Sequence, residues 1–166
     1  MLSEPHAGGP GYVMDTRLRP SGSHGLLVAS LRSFASYHGL QETDAGAERP
    51  AGFGGGSAWE RQALIRARFC AGDPLLGARA MNIATLAAYE GGPPAPAEMH
   101  RLRLRMEREL GRERATRKEL KVGRGGLLDI EFLAQGLQMK HGSDARVRTP
   151  DTGEALEALA TNGYLP

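Results

Sequence analysis

The chain has 166 residues, 40% of them hydrophobic, and its 21 basic and 19 acidic side chains leave a formal charge of +2. That length and apolar fraction supply one ordinary core and exclude wholesale disorder, while the near-balanced charge gives no case for a nucleic-acid or membrane-surface partner. The single cysteine, Cys70, excludes an internal disulfide framework and suits a reducing cytosol. Charges interrupt every apolar run before the roughly 18 residues of a membrane span, and the start has no basic segment ahead of an apolar one, so a cytoplasmic location is expected.

Residues 1–11 are rich in Gly and Pro and read as a loose leader. Residues 12–19 then suit an extended strand, which places Val13, Asp15, Arg17 and Arg19 on one face and Tyr12, Met14, Thr16 and Leu18 on the other. A turn-forming cluster over 20–25 leads into Leu26-Leu27-Val28, a second short strand. Ser30 caps a helix over about 31–38 whose apolar face is Leu31, Phe34, Ala35 and Tyr37. Residues 39–57 contain six glycines and read as a flexible insertion that cannot bury enough apolar surface to order itself.

From position 58 onward the pattern is helical. A helix over about 59–71, apolar nearly all round, is expected to be buried; Gly72-Asp73-Pro74 ends it, and another follows over about 75–89. After Gly91-Gly92-Pro93-Pro94 comes the clearest amphipath, about 96–112, in which Met99, Leu102, Met106 and Leu110 recur at spacings of 3, 4 and 4. A helix over about 127–140 carries Ile130, Leu133, Ala134 and Leu137 as its core-facing stripe. A last helix over about 151–162 is capped by Asp151 or Thr152 and ends at Asn162-Gly163. The predicted fold class is mainly α with a small N-terminal β element.

Three segments hold the candidate chemistry. Asp15, Arg17 and Arg19 on one strand face suit a metal-bound polyphosphate: the carboxylate holds a hard divalent cation and the guanidiniums fork onto phosphate oxygens. The alternative is a structural ion pair on a solvated face. Arg66 and Arg68 lie about 200° apart on the most apolar helix, so at least one should be partly buried and need an anion, either a protein carboxylate or a phosphate. Trp59 and Phe69 read as core rather than as a base-stacking platform. In Lys121-Val122-Gly123-Arg124-Gly125-Gly126, cations and Cβ-free residues precede a helix N-terminus, where backbone N–H groups can approach an anion. Its spacing is not that of a Walker A loop. Asp129 and Glu131, two apart, diverge on a helix, and Asp129 complements the helix dipole. Ten basic residues against five acidic ones over 98–124 read as a solvated, ion-paired face. The five histidines have no His or Cys partner at metal-ligand spacing.

Taken in order, Asp15-Thr16-Arg17-Leu18-Arg19-Pro20-Ser21-Gly22, then Trp59-Glu60-Arg61-Gln62-Ala63-Leu64-Ile65-Arg66-Ala67-Arg68, then 121–132 resemble the glutamine synthetase adenylyltransferase family, most closely its C-terminal, adenylylating half. PII uridylyltransferase, which has a related Gly-Gly-Leu-x-Asp loop, is the nearest alternative family, and a non-catalytic helical binding module is the alternative function. The resemblance implies a polymerase-β-type nucleotidyltransferase core followed by a helical domain, with residues 12–38 as a remnant of that core and 58–166 as the helical domain. It further implies transfer of AMP from ATP to a tyrosine of glutamine synthetase, Mg2+ or Mn2+ held by three carboxylates, and PII as a partner. Asp15 matches the third of those carboxylates. The Gly-Ser and Asp-x-Asp run that supplies the first two should lie upstream, yet none of the fourteen residues before Asp15 fits, so the isolated chain is expected to be a fragment with little or no activity. Charge and placement add Arg17, Arg19, Arg66, Arg68, Lys121, Gly125 and Gly126 as nucleotide or phosphate ligands, with Asp129 and Glu131 behind them.

Overall fold

A computed structural model of the chain describes residues 9, 15–16, 18–43, 46–48, 57–111 and 118–165. Ser30 accepts a hydrogen bond from the Ser33 N–H at 3.1 Å and starts α1, Leu31–Tyr37. Gly39 at φ +69° turns the chain back, so that Leu40 is buried beneath α1 and β1 (Gln41–Thr43) pairs antiparallel with β2 (Gly46–Glu48), Gln41 opposite Glu48. Four longer helices and a short one complete the described fold: α2 (Ala58–Ile65), α3 (Pro74–Tyr89), α4 (Pro96–Leu110), α5 (Leu127–Lys140) and α6 (Thr152–Thr161). The side chains of Asp73 and Asp151 accept from the N–H groups of Leu76 and Glu154, and prolines open α3 and α4, so three of these starts are written locally.

α3 is the centre of the packing. Ile83 and Ala87 bury against Ala35 and Leu40, with Ala47, Leu64 and Leu86 closing that cluster. On another face of α3, Ala88 and Tyr89 pack with Ile65 of α2 and Met139 of α5. α6 docks on α5, where Gln138 is wholly buried and its amide donates to the carbonyls of Val147 and Thr149 at 2.7 and 2.8 Å. No helix among the described residues is long and apolar enough to cross a membrane.

The architecture is mainly α, as the sequence predicts, but several elements differ. Tyr12, Val13, Met14 and Arg17 of the expected first strand lie outside the described residues. Asp15 and Thr16 are not in a strand, and 18–21 already bend into a 3-10 turn at Gly22–His24 with Ser21 and Gly22 at φ 62° and 55°. Leu26, Leu27 and Val28 form no strand either: all three are exposed, and no neighbouring strand among the described residues supplies the N–H and C=O partners a ladder requires. The β pairing lies instead within 39–57. There Leu40 and Ala47 provide the apolar anchors that the glycine count alone does not suggest.

α2 stops at Ile65, not near 71. Its last turn closes on Arg66, and Phe69 lies over Gly77 of α3, where an added Cβ would meet the ring at 2.4 Å. Both Arg66 and Arg68 therefore lie past the helix and are exposed, contrary to the expectation that one is partly buried. The buried guanidiniums belong to Arg61 and Arg103. On α5 the stripe is also displaced: Ile130 and Leu133 are 45% and 56% exposed and Leu137 is half-buried, while Leu128, Gln135, Gln138 and Met139 face inward with Ala134. Polar side chains occupy the core side because each buried amide finds a partner there. Gln62 donates to Gln135 at 3.1 Å, and Gln138 reaches the two carbonyls of 147 and 149.

Candidate functional site

The three segments singled out in the sequence meet around α2. Trp59, in its first turn, is 41% exposed and is not the core residue the sequence suggests. Its indole borders a narrow cleft shared with Arg19, Pro20, Phe34, Tyr37, His38 and Glu60, so the first and second segments line one wall-to-wall space. It also borders a groove of about 360 Å³ between α2, α4 and α5, lined by Gln62, Arg66, Arg105, Glu131 and Phe132, where the second segment meets the third.

In the narrow cleft the Glu60 carboxylate accepts hydrogen bonds from the hydroxyls of Ser57 and Tyr37, each at 2.5 Å. Burial pushes the Glu60 pKa upward, but those two donors outweigh it and hold the carboxyl below its ordinary value. The same Glu60 contact raises the Tyr37 hydroxyl. Arg19 folds back on its own turn: its guanidinium donates to the carbonyls of Thr16, Ser23 and Gly25, the last at 3.2 Å. Asp15 is exposed, and Arg17 lies outside the described residues. Of the expected acid-and-two-arginine face, then, the described part is an exposed carboxylate and a guanidinium committed to turn carbonyls.

The glycine loop before α5 is closed on itself. Gly125, at φ +75°, donates its N–H to Asp129 Oδ2 at 2.6 Å; Gly123 donates to Glu119, Gly126 to Gly123, Leu127 to Leu120 and Leu128 to Lys121. A Cβ on Gly126 would meet three carbonyl oxygens at 2.7–2.9 Å, so glycine is needed for this close winding and not for approach to an anion. The N–H groups expected to cradle phosphate are spent on protein oxygens. Lys121 is exposed at the loop's edge.

Arg103 locks the loop in place. Its guanidinium, 7% exposed as a residue, reaches Asp129 Oδ1 at 2.5 Å, Glu107 Oε2 at 3.4 Å and the Gly123 carbonyl at 2.9 Å. Burial pushes Asp129 up, but the donors Arg103 and Gly125 prevail and lower it. Glu131 is turned the other way and pairs with Arg66 at 3.3 Å, while Arg66 also donates to the Thr152 hydroxyl at 2.8 Å. Arg66 and Glu131 thus join the second and third segments, whereas Arg68 joins neither. Arg61, from within the second segment, caps the C-terminal end of α3 by donating to the carbonyls of Ala88, Gly91 and Gly92.

Arg61 and Arg103 look solvated by residue type, yet their spacing carries a signal of burial. Arg103 occupies the i+4 position from Met99 and i−3 from Met106, inside the apolar stripe of α4. Ala58, Arg61, Gln62 and Ile65 likewise follow i, i+3, i+4, i+7 on the buried face of α2. Among the described residues, no group of three His, Cys, Asp or Glu side chains could hold a metal ion.

Residues 1–83 match the family model described as glutamate-ammonia ligase adenylyltransferase, and residues 97–166 match that of GlnD PII-uridylyltransferase. Curated relatives bear the name bifunctional glutamine synthetase adenylyltransferase/adenylyl-removing enzyme. That of Nitrosococcus oceani is 37% identical over 158 residues, covering 93% of this chain and 15% of the relative. That of Cutibacterium acnes is 36% identical over 165 residues, covering 96% and 15%. The Stenotrophomonas maltophilia relative is 37% identical over 170 aligned positions, covering 100% and 17%. The chain therefore spans about 15% of the length of the curated relatives it matches.

Proposed function

Because the chain belongs to the glutamate-ammonia ligase adenylyltransferase family, we propose that it is the part of such an enzyme that joins the end of a polymerase-β-type nucleotidyltransferase core to the helical domain behind it. The reaction of the whole enzyme is transfer of AMP from ATP to a tyrosine hydroxyl of glutamine synthetase, in the cytoplasm and under the influence of PII. The observation that carries the reading is convergence: Arg19-Pro20 and Trp59-Glu60 border one cleft, and Arg66 pairs with Glu131 of the third segment while Gln62 bonds to Gln135 one turn beyond it. Family likeness over nearly the whole chain favours this over a PII-uridylyltransferase fragment; the match to the uridylyltransferase family fits a helical half common to both.

In this reading Asp15 supplies one carboxylate of a Mg2+ or Mn2+ site, and Arg17 and Arg19 bind the departing pyrophosphate, Arg19 exchanging its turn carbonyls for phosphate oxygens. The described residues do not fit a complete metal site, and no Asp-x-Asp run occurs in the sequence. The 166 residues by themselves accordingly transfer AMP weakly or not at all. What remains testable is nucleotide affinity. Calorimetric titration with ATP should contain a component that requires Mg2+ and disappears in Asp15→Asn. Absence of any Mg2+-dependent component, or its survival in Asp15→Asn, refutes the assignment.

A further inference from the structure

The Trp59 indole also faces α4. Glu98, in the first turn of α4, accepts the Ala58 N–H at 3.1 Å and so ties the start of α2 to that helix. Between them runs a groove of about 420 Å³ lined by Trp59, Glu98, Arg101, Leu102, Leu104, Arg105 and Arg108. The three arginines recur at spacings of four and three, hence on one face, and span roughly 10 Å of helix at about 1.5 Å per residue. Arg105 approaches Glu109 only at 4.0 Å, with both side chains exposed, and Arg108 touches the Leu104 carbonyl at 3.4 Å. Neither Arg101 nor Arg108 has an ion pair among the described residues, and Glu98 is engaged by a backbone N–H. Three guanidiniums thus stand beside an exposed indole, against the lining carboxylate of Glu98 and the distant one of Glu109.

We propose that this groove binds a nucleoside polyphosphate, the base stacked on Trp59 and the phosphates lying along Arg101, Arg105 and Arg108, without a metal ion and without Asp15. The chemistry of each part fits. An indole face accepts any planar base, guanidiniums pair bidentately with phosphate oxygens, and the groove has the volume of a small-ligand site. A nucleotide is favoured over an acidic peptide because the apolar part of the lining is short, two leucines and one indole, beside a row of three guanidiniums. The proposal does not rest on the adenylyl-transfer reading.

Trp59 is the chain's single tryptophan and borders the Arg19 cleft and the Arg66 groove as well, so quenching is assigned to this groove where it is lost in the arginine variant below. ATP added in the presence of EDTA should quench it saturably, and inorganic tripolyphosphate should reverse the quenching by displacing the nucleotide while quenching little itself. The triple variant Arg101→Ala/Arg105→Ala/Arg108→Ala should bind ATP at least tenfold more weakly with an unchanged circular dichroism spectrum, since all three side chains are exposed. Calorimetry on Trp59→Ala should show a comparable loss. Unchanged affinity in the triple variant overturns the proposal, as does the absence of metal-free binding. Tighter binding of a polyglutamate peptide than of ATP would make the groove a protein-docking surface, and much tighter binding of a single-stranded oligonucleotide would make it a nucleic-acid surface; either overturns the proposal. A loss confined to Mg2+-dependent binding also overturns it, because metal-free binding then survives without the three arginines.

Discussion

Replacing Arg103 with methionine tests whether a buried guanidinium holds the glycine loop to α4. Methionine keeps an unbranched stem between Met99 and Met106, so the apolar stripe stays filled and only the charged fork is lost. Three acceptors then each lose a donor: Asp129, which keeps the Gly125 N–H, Glu107 and the Gly123 carbonyl. Breaking a buried ion pair by removing one partner costs about 3–5 kcal/mol. Here, however, the Asp129 and Glu107 side chains are 40% and 33% exposed and water can resolvate them. The expected loss is therefore about 2–3 kcal/mol, lying between that limit and the ~1.5–3 kcal/mol of one charged hydrogen bond. For a chain of this size that lowers Tm by about 5–10 °C.

Urea unfolding followed by circular dichroism measures the change, and a cycle with Asp129→Asn should return a coupling of about 1–2 kcal/mol. The pH dependence gives an independent reading. Asp129 has a depressed folded-state pKa, so its contribution is present above the ordinary carboxylate range and is lost as pH falls through and below that range. Arg103→Met should flatten this acid limb. A loss under about 0.5 kcal/mol, or an acid limb as steep as in the parent chain, would show that Arg103 does not clamp the loop, because a clamp worth its desolvation cannot be removed so cheaply.

Gly91→Ala should destabilise by about 1–3 kcal/mol as an overpacking change, since its Cβ would meet the Arg61 guanidinium carbon at 2.9 Å. Thermal unfolding measures this, and Arg61→Met should be at least as costly because the carbonyls ending α3 lose a buried donor. Tyr89 is buried, and that burial pushes its hydroxyl up to about 12, although Arg148 beside the ring pulls the other way. The unfolded chain therefore releases this proton first, and stability should fall as pH rises from about 10 to 12, by about 2–3 kcal/mol in full. Tyr89→Phe should lose that part of the alkaline slope, and an unchanged slope in urea titrations from pH 9 to 12 would contradict the assignment.

Local chemistry made much of this protein legible in one dimension. Ser30 and Asp151 cap α1 and α6 where the sequence puts them, and Asp73 caps α3 in the same way, because a side chain three residues from an N–H needs no help from elsewhere. The three motifs likewise identify the family and their order. Which face of each helix is buried was not decidable in the same way. Arg61, Arg103, Gln135 and Gln138 look solvated by type, and a polar group enters the core only if distant parts of the chain deliver its hydrogen-bond partners. Those partners are the carbonyls ending α3, Asp129, Gln62 and the 147–149 turn. The exposed Trp59 has the same origin: Glu98, forty residues away, holds the start of α2 against α4 and leaves the indole at a groove mouth. Sequence alone set the caps, the helical periods and the family. Long-range hydrogen bonding, which exists only once the helices pack, decided which charges are buried and which aromatic ring is free to meet a ligand.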